Sequence, residues 1–151
     1  MPVTPLWLKL ASATHLFWYR LTGGLVGGRA LGAPVLLLTT AGRKSGRPRT
    51  TPLLYLEDGE GYVIVASNGG RDNHPAWFLN LRRHPQAAVQ IKNERMRVRA
   101  EIAGREERNR LWPLVVAMYS TYDEYKRRTK REIPVVVLRP EAGSPSEGRV
   151  S

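Results

Sequence analysis

The chain of 151 residues carries 24 Lys and Arg against 13 Asp and Glu, for a formal net charge of +11, and contains no cysteine. That length suits one core, and the positive excess favours anionic ligands. The missing thiols exclude disulfides, thiolate metal centres and cysteine catalysis and predict a cytoplasmic protein, while no run of about 18 apolar residues is present to span a bilayer.

Residues 5–21 place Leu6, Leu10, Ala13, Phe17 and Leu21 on one helical face, with Thr4 as cap and Pro5 as first helical residue. Trp7, Trp18 and Tyr19, with Lys9 and Arg20 at the border of that face, suit peripheral contact with a membrane as well as packing against the rest of the fold. No cationic start precedes the apolar stretch, so no secretory signal is read. Gly23, Gly24, Gly27, Gly28 and Gly32 then predict a flexible connection.

Val35 to Thr40 and Thr50 to Leu56 are rich in Leu, Val, Thr and Tyr, and Gly42, Ser45, Gly46 and Pro48 between them supply turn chemistry. This predicts a β-hairpin whose tip gathers Arg43, Lys44, Arg47 and Arg49 with no anion among them. Like charges this close repel, so the tip reads either as a solvated loop or as a site facing an anion such as phosphate. It lacks the glycine spacing of a Walker loop. Asp58 and Gly59 turn the chain into a third strand, Tyr62 to Ser67. Asn68 to His74 form a glycine-rich polar turn that can approach a ligand closely, and Pro75 opens a short amphipathic helix through Trp77, Phe78 and Leu81. Residues 87–92 and 95–102 read as two more strands, 105–119 as a helix kinked at Pro113, and 133–138 as a last strand. The tail 141–151 is expected to be disordered. The class is α+β and mainly β: a six-stranded antiparallel barrel over residues 34–140, with an N-terminal helix in 1–33 and two or three short covering helices.

Further cations cluster at Arg82, Arg83, Lys92, Arg95, Arg97 and Arg99, and again at Lys126, Arg127, Arg128, Lys130 and Arg131. They could track a phosphate backbone. Neither a helix-turn-helix, a zinc finger nor an RNP signature accompanies them, and no aromatics are interleaved for stacking, so no nucleic-acid partner is expected.

Three stretches, TTAGRKSGRPRTTPLLYLEDGEGYVIVASNGG, HPAWFLNLRRHPQAAVQI and LWPLVVAMYSTYDEYKRRTKREIPVVVLRP, are similar to the deazaflavin-dependent nitroreductase family, whose members use reduced coenzyme F-420. The GRKSG-P-R tip, the Ser-x-Gly-Gly turn, the P-x-W-x-x-N-L helix and the tyrosine triplet before IPVVV carry the resemblance. It implies a split β-barrel, a bound deazaflavin with a phosphate and an oligoglutamate tail, and hydride transfer to a small-molecule acceptor, quinone-like or otherwise conjugated, nitro compounds included. Such a polyanionic coenzyme also accounts for the basic tip.

Carried over residue by residue, the resemblance puts Arg43, Lys44, Ser45 and Arg49 at the phosphate and tail. Thr50, Thr51, Pro52, Leu53 and Leu54 on the second strand, Val65, Ala66, Ser67 and Asn68 after the third, and Ala76, Trp77, Phe78, Leu79 and Asn80 on the short helix match segments lining the ring and linker. Ser67, Tyr119, Tyr122 and Tyr125 are the catalytic candidates, with Tyr122 also at the coenzyme. On one helix the tyrosines would span about 120°. A neutral phenol, with a pKa of about 10, can donate to an acceptor oxygen as that oxygen becomes anionic. Leu54 stands where the better-known members have another tyrosine, Asn68 where lysine is common and Ala76 where methionine is, so the acceptor wall differs more than the coenzyme site. No metal is expected. An FMN-dependent reductase of related fold, or a carrier of deazaflavin or lipid without turnover, are the alternative readings, and the expected state is a monomer or weak homodimer.

Overall fold

The computed structural model describes residues 29–30 and 33–141, so the predicted helix over 5–21 and the tail beyond Glu141 lie outside the described residues. In chain order the elements are β1 (Arg29–Ala30), β2 (Ala33–Ala41), β3 (Pro48–Leu54), β4 (Leu56–Asp58), β5 (Gly61–Val65), a 3-10 turn (Asn68–Gly70), α1 (Ala76–Arg83), β6 (Gln86–Ile91), β7 (Glu94–Ile102), α2 (Arg105–Met118), α3 (Thr121–Arg128) and β8 (Val135–Pro140). The strands form one curled antiparallel sheet in the order β1-β2-β6-β7-β8-β5-β4, with β3 also paired to β2. β3 and β4 follow each other in the chain through Tyr55, and among the described residues no ladder joins β3 to β5. The barrel is split along that line.

Apolar patterning follows from position in the sheet. β2 is flanked by β3 and β6, and Leu36, Leu37 and Leu38 are fully buried, so its sequence is a continuous apolar run. β5 and β8 are buried on both faces. Ile64, Val136 and Leu138 join Leu36, Leu38 and Phe78 inside the barrel, while Val63, Val65, Val135 and Val137 pack under α2 and α3 with Leu111, Trp112 and Val115. Each such side chain stabilises by about 1.5–3 kcal/mol.

Three expectations are corrected. Among the described residues there are eight strand segments and not six, because Tyr55, whose N–H donates to Pro34 O at 3.1 Å, separates β3 from β4, and because Arg29–Ala30 folds onto Ala33–Pro34 inside the expected flexible connection. The last strand begins at Val135, two residues later than read. As expected, α2 carries Pro113 inside one helix, where the carbonyl of exposed Asn109 loses its donor and can bond water. The tyrosines do not share a helix: Tyr119, at φ −147 and ψ 94, ends α2, and α3 restarts at Thr121. Among the described residues no helix is long and apolar enough to cross a membrane.

Candidate functional site

The β2–β3 hairpin, in register from Val35 opposite Leu54 to Ala41 opposite Pro48, leaves residues 42–47 as its basic tip. Gly42 N donates to Arg47 O and Gly46 N to Gly42 O, both at 2.8 Å, and Gly46 takes φ 74, which glycine adopts without strain. Asn80 on α1 pins this tip. Its buried Oδ1 accepts from Arg43 N at 3.0 Å and Arg43 Nη1 at 3.3 Å, and its Nδ2 donates to Thr40 Oγ1 at 3.0 Å. The result is a cavity of about 380 Å³ lined by Gly42, Arg43, Lys44, Ser45, Arg49, Thr50, Thr51, Ala76, Trp77 and Asn80. No carboxylate lines it, and none of the three ion pairs among the described residues involves a tip cation. Three cations therefore face one opening uncompensated, a donor set suited to a multiply anionic group.

A second cavity, of about 450 Å³, is lined by Thr51, Leu53, Val65, Ser67, Asn68, Gly69, Arg71, Pro75 and Trp77. Thr51 and Trp77 line both, so the two cavities adjoin there and together make the groove between the basic tip and the 67–71 turn. The turn puts Asn68, Gly69 and Gly70 at φ 49, 65 and 80. A Cβ on Gly70 would stand 3.1 Å from Tyr125 Cα, so the turn packs backbone-close on α3. Behind it His74 lies against the Phe78 ring, centroids 4.8 Å apart, with Nδ1 3.1 Å from Arg131 Nη1. Burial, and then Arg131 and Arg82, hold its imidazole below the usual histidine range.

The tyrosines converge despite the helix break: centroids are 5.0 Å apart for Tyr119 and Tyr122 and 6.4 Å for each ring to Tyr125. Tyr122 is 5% exposed, under Trp112, whose Nε1 donates to Asp123 Oδ1 at 3.0 Å. Burial pushes the Tyr122 phenol far up, and a hydrogen bond with Tyr119 raises that of Tyr125, so both stay protonated at neutral pH. Tyr119 and Tyr125 are half-buried. Val65 links the two regions, since it lines the groove and packs in the cluster that holds Tyr122, with Leu54 against the same cluster.

Of the residues singled out from sequence, the groove gathers Arg43, Lys44, Arg49, Ser45, Thr50, Thr51, Leu53, Val65, Ser67, Asn68, Ala76, Trp77 and Asn80, while Arg47 of the tip does not line it. It does not include Pro52, Leu54, Ala66, Phe78, Leu79 or the three tyrosines; Ala66 and Phe78 are buried core. Gly42, Gly69, Arg71 and Pro75 line it without having been named as site residues. The glycines were visible as turn chemistry, whereas Arg71 carried no signal of its own.

A family model described as F-420H(2)-dependent quinone reductase matches residues 12–140. The chain is 43% identical over 124 residues to an F-420H(2)-dependent quinone reductase of Mycobacterium tuberculosis (strain H37Rv), covering 80% of this chain and 83% of that protein. Among solved structures it is similar to an F-420-H2 dependent reductase, at 38% identity and TM-score 0.66 over 70% of this chain and 94% of that one. Another, described as a domain-swapped dimer, matches at 34% identity and TM-score 0.66, over 84% of this chain and 99% of that chain.

Proposed function

The chain belongs to the F-420H(2)-dependent quinone reductase family, and on that premise we propose that its split groove binds reduced coenzyme F-420 and serves hydride transfer to a quinone-like acceptor. The observation that carries this reading is that the two cavities meet at Thr51 and Trp77, one facing three uncompensated cations and the other lined by Leu53, Val65, Ser67, Asn68 and Gly69 with Arg71 as its cation. Arg43, Lys44, Ser45 and Arg49 hold the phosphate and tail. Thr51 and Trp77 flank the linker, and Leu53, Val65, Ser67 and Asn68 line the ring. When bound, the deazaflavin supplies the hydride at its C5. The chain's own residues orient the reactants, keep water out and, through the Tyr119 and Tyr125 hydroxyls at the neighbouring wall, donate hydrogen bonds toward an acceptor oxygen.

Fluorescence titration with oxidised F-420 and with FMN tests this. F-420 should bind much the tighter, and Arg43→Ala with Lys44→Ala should weaken it by about tenfold or more while the melting temperature barely moves, because exposed loop cations contribute little to folding. A sharp fall in melting temperature with affinity intact would count against the site. We place the reaction in the cytoplasm. Contact with the membrane face rests on residues 5–21, and liposome sedimentation of the chain with and without them decides it. A monomer or weak homodimer is the proposed state, to be read by light scattering.

A further inference from the structure

The geometry assigns Arg131 a positioning role: its guanidinium holds the 66–74 segment from behind, so that the front of that segment forms the ring end of the groove. The inference rests on the proposed binding of deazaflavin there. Lys126, Arg127, Arg128 and Lys130 in the same basic run are exposed, but Arg131 is half-buried. Its Nε donates to Arg71 O at 2.9 Å, its Nη1 to His74 Nδ1 at 3.1 Å, and its Nη2 to Ser67 O at 2.9 Å and Ala66 O at 3.2 Å. A guanidinium has donors only, spread over a rigid fork, and here the fork spans three carbonyls and an imidazole that no point charge could reach together.

Two tethers run beside it. Thr129 Oγ1 donates to Asp72 Oδ1 at 2.9 Å, and Ala66 N donates to Pro134 O at 2.9 Å. No residue of 129–134 lines the groove, so Arg131 acts through the turn and not on a ligand. Within the segment Asn68, at φ 49 in the left-handed region that asparagine tolerates, donates from Nδ2 to Asn73 O at 3.0 Å, and Arg131 adds the bonds that tie the segment to the rest of the fold.

Arg131→Lys keeps the charge and removes the fork. Titrated with oxidised F-420 and with the ribityl deazaflavin that lacks phosphate and glutamates, it should bind both about tenfold more weakly, while Arg43→Ala weakens only the intact coenzyme. Hydrogen exchange of the ligand-free protein should show faster amides in 66–74 and unchanged protection in β2 and β6. Wild-type affinity for both ligands, or a loss confined to the phosphate-bearing one, overturns the inference and leaves Arg131 a general cation. If wild-type protein binds neither deazaflavin, the functional reading fails, and the exchange data still decide whether Arg131 holds the turn. Should Arg131→Lys not fold, Thr129→Val tests the same clip through its second tether: about threefold weaker binding of both ligands and faster exchange in 66–74 support it, and no change in either overturns it.

Discussion

At position 54 an aliphatic side chain packs against the cluster that holds the tyrosines. A drier wall with one donor fewer should favour flat apolar quinones over small polar nitro compounds. Leu54→Tyr is therefore expected to raise nitro turnover relative to quinone turnover at saturating reduced F-420, leaving coenzyme affinity nearly unchanged; an unmoved ratio removes residue 54 from the acceptor wall. The depth of Tyr122 reorders the expectations for the triplet. Tyr119→Phe or Tyr125→Phe should lower kcat by the equivalent of about 1–3 kcal/mol in the transition state, and Tyr122→Phe should do less, because its ring is buried. His74 supplies a pH test. Its pKa is depressed in the folded state from an ordinary value of 6.5, so the unfolded chain takes the proton more readily. The stability it contributes is present above about pH 6.5 and lost as pH falls through the depressed value. Melting temperature should thus drop more between about pH 7 and about pH 5 in the wild type than in His74→Gln.

Among the elements, α2 and α3 are joined by Trp112, which donates to Asp123 and lies under the cations of Arg108 and Lys126, 4.7 and 5.6 Å from its ring centroid. Trp112→Ala should cost about 3–5 kcal/mol in urea unfolding, and the tyrosine cluster should loosen with it. A cost under about 1 kcal/mol would mean the helices pack without it. The strands were legible because burial writes itself into apolar runs: Leu36 to Leu38 and Val135 to Leu138 announce their own elements. The breaks were not. Tyr55 leaves the strand to bond Pro34, far from it in sequence, and Tyr119 ends a helix that local propensity would continue. The basic tip was legible from four cations among turn residues. Arg131 was hidden within a run of like residues, since only tertiary geometry separates a clip from a solvated charge.

Over the whole molecule, a net charge of +11 concentrated in part at one end of the groove should draw a polyanionic coenzyme toward that end. Its association rate should fall steeply as salt rises across the range where the Debye length shrinks from about 30 to about 8 Å, with a smaller change in the dissociation rate. Stopped-flow fluorescence at a series of ionic strengths separates the two, and a salt-independent association rate would deny the tip that function. The clip formed by Arg131 also has a consequence for biosynthesis. The carbonyls and imidazole it holds precede it by 57 to 65 residues, so a ribosome has made the entire turn long before its anchor emerges. Until then, and until β8 has paired with β5 and β7, the 66–74 turn lacks its anchor.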